Sequence, residues 1–233
     1  YLDISHIPAE TLDKKLGGIM EIYEKFKGVD PRKFPMKVFP GMHYSMGGLW
    51  VDYDHMTSIP GLFAIGECDY EYHGANRLGA NSLLSAVFSG MDSAPCIIKY
   101  MKENGNATAA DDVYAKELER QKAEIAKIYA MNGTENTNEI HKELGDMKSK
   151  YCSVVRHNDE LEMADKMIQD LMARYKNINV CDKSEWANQE VHFTRRLWDM
   201  LELARVIVLG ALNRNESRGA HYKPEFPERD DEH

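Results

Sequence analysis

The chain has 233 residues, 43% hydrophobic and 29% charged, enough core for one large domain or two small ones. A net charge of -9, with no lysine or arginine run, argues against nucleic acid as a partner. No apolar run approaches the roughly 20 residues of a membrane span, and the start is no signal peptide, so any membrane attachment would come through another component. Four cysteines (Cys68, Cys96, Cys152, Cys181) show neither C-x-x-C nor metal-ligand spacing and read as reduced thiols of an intracellular protein. The chain opens without Met on a strand-like YLDIS and stops on the charged ERDDEH, which reads as two cuts through a larger polypeptide.

Residues 8–27 carry Leu12, Leu16, Ile19, Met20, Ile22, Tyr23 and Phe26 at the helical period, with Thr11 or Ser5 as candidate caps and Gly28 at the end. The pair Gly17-Gly18 weakens this helix or lets another backbone approach it closely. A proline-punctuated connector, 29–35, leads to a short strand at 36–39. In GMHYSMGGLWVD, His43, Ser45 and Gly47 alternate with Tyr44, Met46 and Gly48 as a strand alternates its faces. The adjacent glycines suggest a bulge, or a place where a flat ligand lies against the backbone. Residues 53–57 form a polar hairpin or loop, and 58–61 turn into a strand at 62–65.

The stretch GECDYEYHGANRLGANSLL, from Gly66 to Leu84, organises the rest. It closes the strand GLFAIGE on Glu67, passes through a Gly/Asn-rich loop carrying Arg77, and enters a long helix at Asn81-Ser82, whose side chains suit a first turn. An acidic residue at a strand end followed by a helix N-terminus is how α/β folds hold ribose or ribityl hydroxyls and phosphate. An arginine between them adds a bidentate anchor for a carboxylate.

The helix over 82–101 is small and apolar, as if buried on most sides, and Pro95 is expected to kink or interrupt it. Residues 103–106 are the best linker candidate. Four amphipathic helices follow, over 109–131, 136–155, 158–175 and 184–213, the last with Trp186, Phe193, Leu197, Leu201, Ala204 and Val208 inward. Short connections between them predict an up-and-down bundle. The tail ESRGAHYKPEFPERDDEH loses all periodicity and is expected to run extended over a surface.

Read from their own context, the candidate residues keep two readings each. Arg77 pairs a local acid or binds an anion. His43 is a packing residue or a ligand-binding one. Glu67, ending a buried strand, needs a hydroxyl, amide or cation partner, either a ribose-type hydroxyl or a local cap. His73, His141 and His192 read as structural, and His221 as either. The bundle methionines read as core filler. No G-x-G-x-x-G follows a strand, and no Ser-His-Asp or metal constellation assembles.

HYSMGGLWVD, IPGLFAIGE, HGANRLGANSLL and ESRGAHYKPEFPERDD, in this order and spacing, resemble the succinate dehydrogenase/fumarate reductase flavoprotein subunit across essentially the whole chain. The resemblance implies that His43 and Arg77 bind the two carboxylates of succinate or fumarate. It also implies that Glu67 contacts FAD and that the backbone of Ser82 and Leu83 faces the isoalloxazine. A positive helix end near the pyrimidine ring would stabilise reduced flavin. The implied parent protein oxidises succinate to fumarate by hydride transfer to FAD. It passes electrons to an iron–sulfur subunit and quinone, at the cytoplasmic side of the membrane through partner subunits that include a membrane anchor.

The Gly-rich FAD fingerprint, the flavin-linking histidine and the proton-relaying arginine of that family cannot be placed in this chain, so no catalytic or metal residue is assigned. The expected fold class is α+β: terminal strands and a helix of a Rossmann-like FAD-binding domain, then a mostly antiparallel helical bundle. The expected division is 1–40 tail of a capping domain, 41–108 FAD-binding part, 109–213 helical domain and 214–233 extended tail. By itself the chain is expected to be inactive, to bind FAD weakly or not at all, and to self-associate. Aspartate oxidases share the HY…GG and HGANR pattern and are the second reading; a helical interaction module is the third.

Overall fold

A computed structural model describes residues 1–39, 41, 43–105 and 108–232. Asn106, the last residue of the expected linker, lies outside them. The chain divides into two compact units, Tyr1–Ser45 and Met46–His233.

In the first unit, α1 (Ala9–Lys27) begins after Pro8, without a side-chain cap from Ser5 or Thr11, and ends on Gly28 at φ 65°. Proline fixes the entry dihedral, so no cap side chain is needed to set the helix direction. Leu12 and Met20 bury against Ile4 and Met36, with Ile7, Leu16 and Tyr23 packed around them. Ile19, Ile22 and Phe26 remain exposed. A Cβ on Gly17 or Gly18 would meet open space, so the pair admits no close backbone.

The second unit opens with extended segments that meet only at isolated bridges among the described residues: Leu49 with Asp69, and Met56 with Phe63. Among the described residues, the strand-like stretch GMHYSMGGLWVD and the expected strand at 62–65 therefore form no ladders, and the segment at 36–39 bridges at Met36, to Leu2. Positive φ at Gly47 (88°), Gly61 (80°) and Gly66 (73°) turns each segment away after one pairing. Gly48 is where the backbone of Cys68 comes closest, leaving no room for a Cβ. The close neighbour of the Gly47-Gly48 pair in this structure is thus protein backbone.

A 3-10 turn, Gly66–Cys68, precedes α2, Asn81–Asn104. Helix α2 departs from the expectation in three ways. Its N-cap is Ala80 in the left-handed region (φ 67°), with no side-chain cap from Asn81 or Ser82, which lie inside the first turn. It runs through Pro95 without interruption, because the bond lost to the Met91 carbonyl falls on an exposed turn where water can replace it. It is not buried on most sides: Ser85, Ser89 and Ser93 face inward, while Leu83, Leu84, Val87, Phe88 and Met91 are exposed. The serine hydroxyls donate back to carbonyls of Ser82 (2.9 Å), Ala86 (3.2 Å) and Gly90 (3.4 Å), so the narrow inner face is polar yet satisfied.

The bundle follows the periodicity closely. α3 (Asp111–Ala130), α4 (Thr137–Tyr151), α5 (Asn158–Tyr175) and α6 (Gln189–Asn213) share one core, with α6 against all three others and α5 against α4. Ile140, Leu161, Ile168, Leu197, Leu201 and Val208 are fully buried in it. Each fully buried aliphatic side chain contributes about 1.5–3 kcal/mol. Asn136 caps α4 by accepting from Asn138 (2.8 Å) and Glu139 (3.3 Å). The last helix starts five residues later than the 184 its sequence suggests: Ala187 is left-handed (φ 52°) and Asn188 is the cap, leaving Trp186 outside and exposed. Among the described residues no helix is long and apolar enough to cross a membrane.

The tail does not run extended. Residues 214–231 fold into turns bonded to α6, to 154–156 and to Ala75, burying Glu216, His221 and Lys223. Its order comes from polar pairing, which leaves no period in the sequence.

Candidate functional site

The loop from Gly66 to Ala80 is fastened along its length to neighbouring elements. At its start, the Gly66 N–H donates to Ser89 Oγ of α2 at 3.1 Å. Glu67, in the following 3-10 turn, is exposed rather than at the end of a buried strand, because the turn at Gly66 carries it out of the chain's interior. The Asp69 side chain accepts from the Glu71 N–H at 3.0 Å, and the ladder-like bonds of Leu49 to Cys68 (2.8 Å) and Tyr70 to Leu49 (3.2 Å) hold this segment beside the Gly48 backbone.

His55, buried and left-handed (φ 65°), is a second fastening that the sequence alone does not reveal. Its Nε2 lies 3.2 Å from Asp92 Oδ2 of α2 and 3.4 Å from the Tyr72 hydroxyl, and its Nδ1 is 3.9 Å from Glu71 Oε2. Burial raises the Glu71 carboxyl above its ordinary value, with nearby carboxylates adding and His55 opposing. Burial and the Glu71, Asp69 and Asp92 charges push the Tyr72 phenol up to about 12. Tyr72 also meets Phe88 edge-on at 5.9 Å. His73, expected to be structural, is bonded to Ser85 Oγ at 2.9 Å.

Beyond these anchors the loop reaches Arg77. Gly74 is left-handed (φ 53°), the Asn76 N–H donates to His73 O at 3.1 Å, and Arg77 Nη1 lies 3.4 Å from Leu78 O. Arg77 is half-buried, two residues after Ala75, whose carbonyl accepts from the Ala220 N–H of the tail at 2.9 Å. Ala80 then directs the chain into α2, placing Ser82 in its first turn, half-buried, and Leu83 exposed. Glu67, Arg77, Ser82 and Leu83 thus all lie on or beside the loop that wraps the start of α2. His43 is exposed and belongs to the Tyr1–Ser45 unit.

The residues present fit a flavin. The Asn81 N–H bonds the Leu78 carbonyl at 3.3 Å, but no side chain caps the first turn of α2, so its positive end can meet carbonyl oxygens of a ring. Leu83 and Leu84 add exposed apolar surface beside it. Of the fastenings, His55 and the Ala75–Ala220 bond had no sequence signal: a histidine in a polar hairpin and a contact between distant segments carry no spacing.

Residues 1–83 match a family model described as an FAD binding domain, and residues 141–233 match one described as fumarate reductase flavoprotein C-term. The whole chain is 58% identical to the succinate dehydrogenase flavoprotein subunit of Bacillus subtilis, covering 40% of that protein. It is 36% identical to the fumarate reductase flavoprotein subunit of Haemophilus influenzae, over 99% of this chain and 38% of that one. A solved structure of a quinol-fumarate reductase with menaquinol molecules superposes with a TM-score of 0.87 at 33% identity, over 99% of this chain and 40% of its counterpart. The chain therefore belongs to the succinate dehydrogenase/fumarate reductase flavoprotein family, an FAD-dependent oxidoreductase family, and spans about two fifths of the length of the relatives it matches.

Proposed function

We propose that this chain is part of a succinate dehydrogenase flavoprotein in which His43 and Arg77 hold the two carboxylates of succinate. The observation that supports this most is the glycine-rich loop that carries Arg77 straight into the uncapped start of α2. Arg77 would grip one carboxylate through a bidentate fork, and His43 would donate to the other. Held at both ends, the diacid has its central carbons fixed, which removes most of the orientational entropy of reaction. Glu67 would accept from hydroxyls of the cofactor, and the N–H groups of Ser82 and Leu83 would face its ring. FAD, when bound, supplies the two-electron acceptor chemistry.

Residues 1–40 would close a capping domain, 41–108 would complete a Rossmann-like FAD-binding domain whose remaining strands pair with the single bridges seen here, and 109–213 would form the helical domain. The tail, 214–233, would pin that domain to the Arg77 loop. The parent would pass electrons to an iron–sulfur subunit and on to quinone, held at the cytoplasmic face of the membrane by an anchor subunit.

The test is the full-length holoprotein assayed with succinate and an artificial electron acceptor. Arg77→Ala is expected to lower kcat/KM for succinate by roughly 10²- to 10³-fold, since truncating one partner of a buried charge pair leaves the other uncompensated. A wild-type protein that turns over L-aspartate and not succinate would overturn the substrate assignment.

A further inference from the structure

The tail touches the candidate loop at Ala75, and the fit there leaves no slack. Gly219 is left-handed (φ +58°), and a Cβ built on it would lie 2.5 Å from the Ala75 carbonyl oxygen and 2.9 Å from Asn76 Cβ. Next to it the Ala220 N–H donates to the same Ala75 carbonyl at 2.9 Å. The backbone of 219–220 is thus pressed against the backbone two residues before Arg77.

The tail is itself held tightly. Glu216, 4% exposed, accepts from Arg214 Nε at 2.7 Å, from Arg218 Nε at 3.0 Å and from the Asp230 N–H at 2.9 Å. These charge-assisted bonds hold its carboxyl down at about 2, Arg218 first. His221 is clamped between the Arg214 carbonyl (3.1 Å) and Arg156 Nη1 (2.8 Å). The Lys223 ammonium, fully buried, donates to the Leu212 carbonyl at the end of α6 (2.9 Å) and to Asn215 Oδ1 (3.3 Å). The Arg156 N–H and the Tyr222 N–H bond to Tyr222 O (2.9 Å) and Val154 O (3.2 Å). The segment is therefore a rigid strut between the end of the bundle and the arginine loop.

We infer that this strut, through the glycine contact of Gly219 and the Ala220–Ala75 bond, sets the position of the Arg77 loop, which makes Gly219 a positioning residue for the dicarboxylate. The inference rests on the proposed role of Arg77. A side chain at 219 has to drive the Ala75–Asn76 backbone away, since a carbonyl cannot rotate aside as the tip of a flexible side chain can. A displacement of about 1 Å at the loop is enough to cost on the order of 10²-fold in a reaction that depends on placement.

The experiment uses the full-length holoprotein in its assembled complex. Gly219→Ala is expected to lower kcat/KM for succinate roughly 10- to 100-fold, chiefly through KM, at wild-type FAD content and with reduction of the bound flavin by dithionite unchanged. Pairing it with Ala75→Gly, which frees the opposing backbone to retreat, is expected to recover at least part of KM; a merely structural clash would show as a lower melting temperature without that split. Should Gly219→Ala lose FAD or fail to assemble, Glu216→Gln carries the test. It keeps the volume and removes the charge that holds both arginines, and a severalfold rise in succinate KM is expected. An unchanged KM in whichever variant retains full FAD overturns the inference. If Arg77→Ala also leaves succinate turnover intact, the underlying reading falls instead, so the two failures are distinguishable.

Discussion

Helices α2 and α5 are both long and well formed, yet they bury opposite kinds of residue. α5 encloses Leu161, Ala164, Ile168 and Leu171 and shows water its charges. α2 encloses Ser85, Ser89 and Ser93 and shows water Leu83, Leu84, Val87, Phe88 and Met91. The bundle encloses one shared core while still exposing Leu203 and Val206 of α6, whereas the inward face of α2 is serine and its apolar side chains are left on the surface. Contiguous exposed apolar surface of that kind marks an interaction face. α3 repeats the contrast within one helix: Ile128 is buried in the bundle while Val113 and Leu118 stay exposed nearer its start.

The sharpest break in this comparison is a pair of alanine substitutions in the chain by itself. Ile168→Ala is expected to cost about 2–5 kcal/mol in urea unfolding, because a fully packed side chain leaves a cavity. Leu84→Ala, on a residue 67% exposed, is expected to stay within about 0.5 kcal/mol. Equal losses would mean that α2 is covered after all. The next effect is association. Sedimentation velocity is expected to show concentration-dependent self-association of the chain, weakened by charged substitution of Leu84 and Met91 on the exposed face of α2. A monomer at every concentration would remove the contrast between the two regions.

The smallest effect concerns the tail. The folded Glu216 carboxyl lies near 2, depressed from 4.5 chiefly by its bond to Arg218. A depressed acid contributes stability that is present above the unfolded value and is lost as pH falls through the folded one. Acid unfolding is therefore expected to steepen between about pH 4.5 and 2, with Glu216→Gln flattening that limb. An identical acid limb in the variant would show that the tail's polar anchors do not hold it.

The same contrast separates what the residues reveal from what they hide. The bundle is legible because Ile140, Leu144 and Met147, or Leu197, Leu201, Ala204 and Val208, repeat at the helical period and do bury. The α6 start falls later than the 184 its pattern suggests, because the left-handed Ala187 and the Asn188 side chain set the boundary. Extended segments read as strands, but a strand exists only with a partner, and Leu49 and Phe63 each find one at a single residue. The helix start beside Arg77 is legible; its cap is not, since Ala80 takes a conformation that only backbone context imposes. Least visible are the buried Glu216, His221 and Lys223: His221 reaches Arg156 across the chain, while Glu216 and Lys223 are held by polar bonds within the tail and to the end of α6, which leave no period.

The most direct measurement is a crystal structure of the full-length protein with FAD and a bound four-carbon dicarboxylate. The account predicts the Arg77 guanidinium within hydrogen-bond distance of one carboxylate, the flavin ring at the first turn of α2, and His43 at the other end of the ligand. An Arg77 side chain turned onto a protein carboxylate, away from both ligand and flavin, would contradict it.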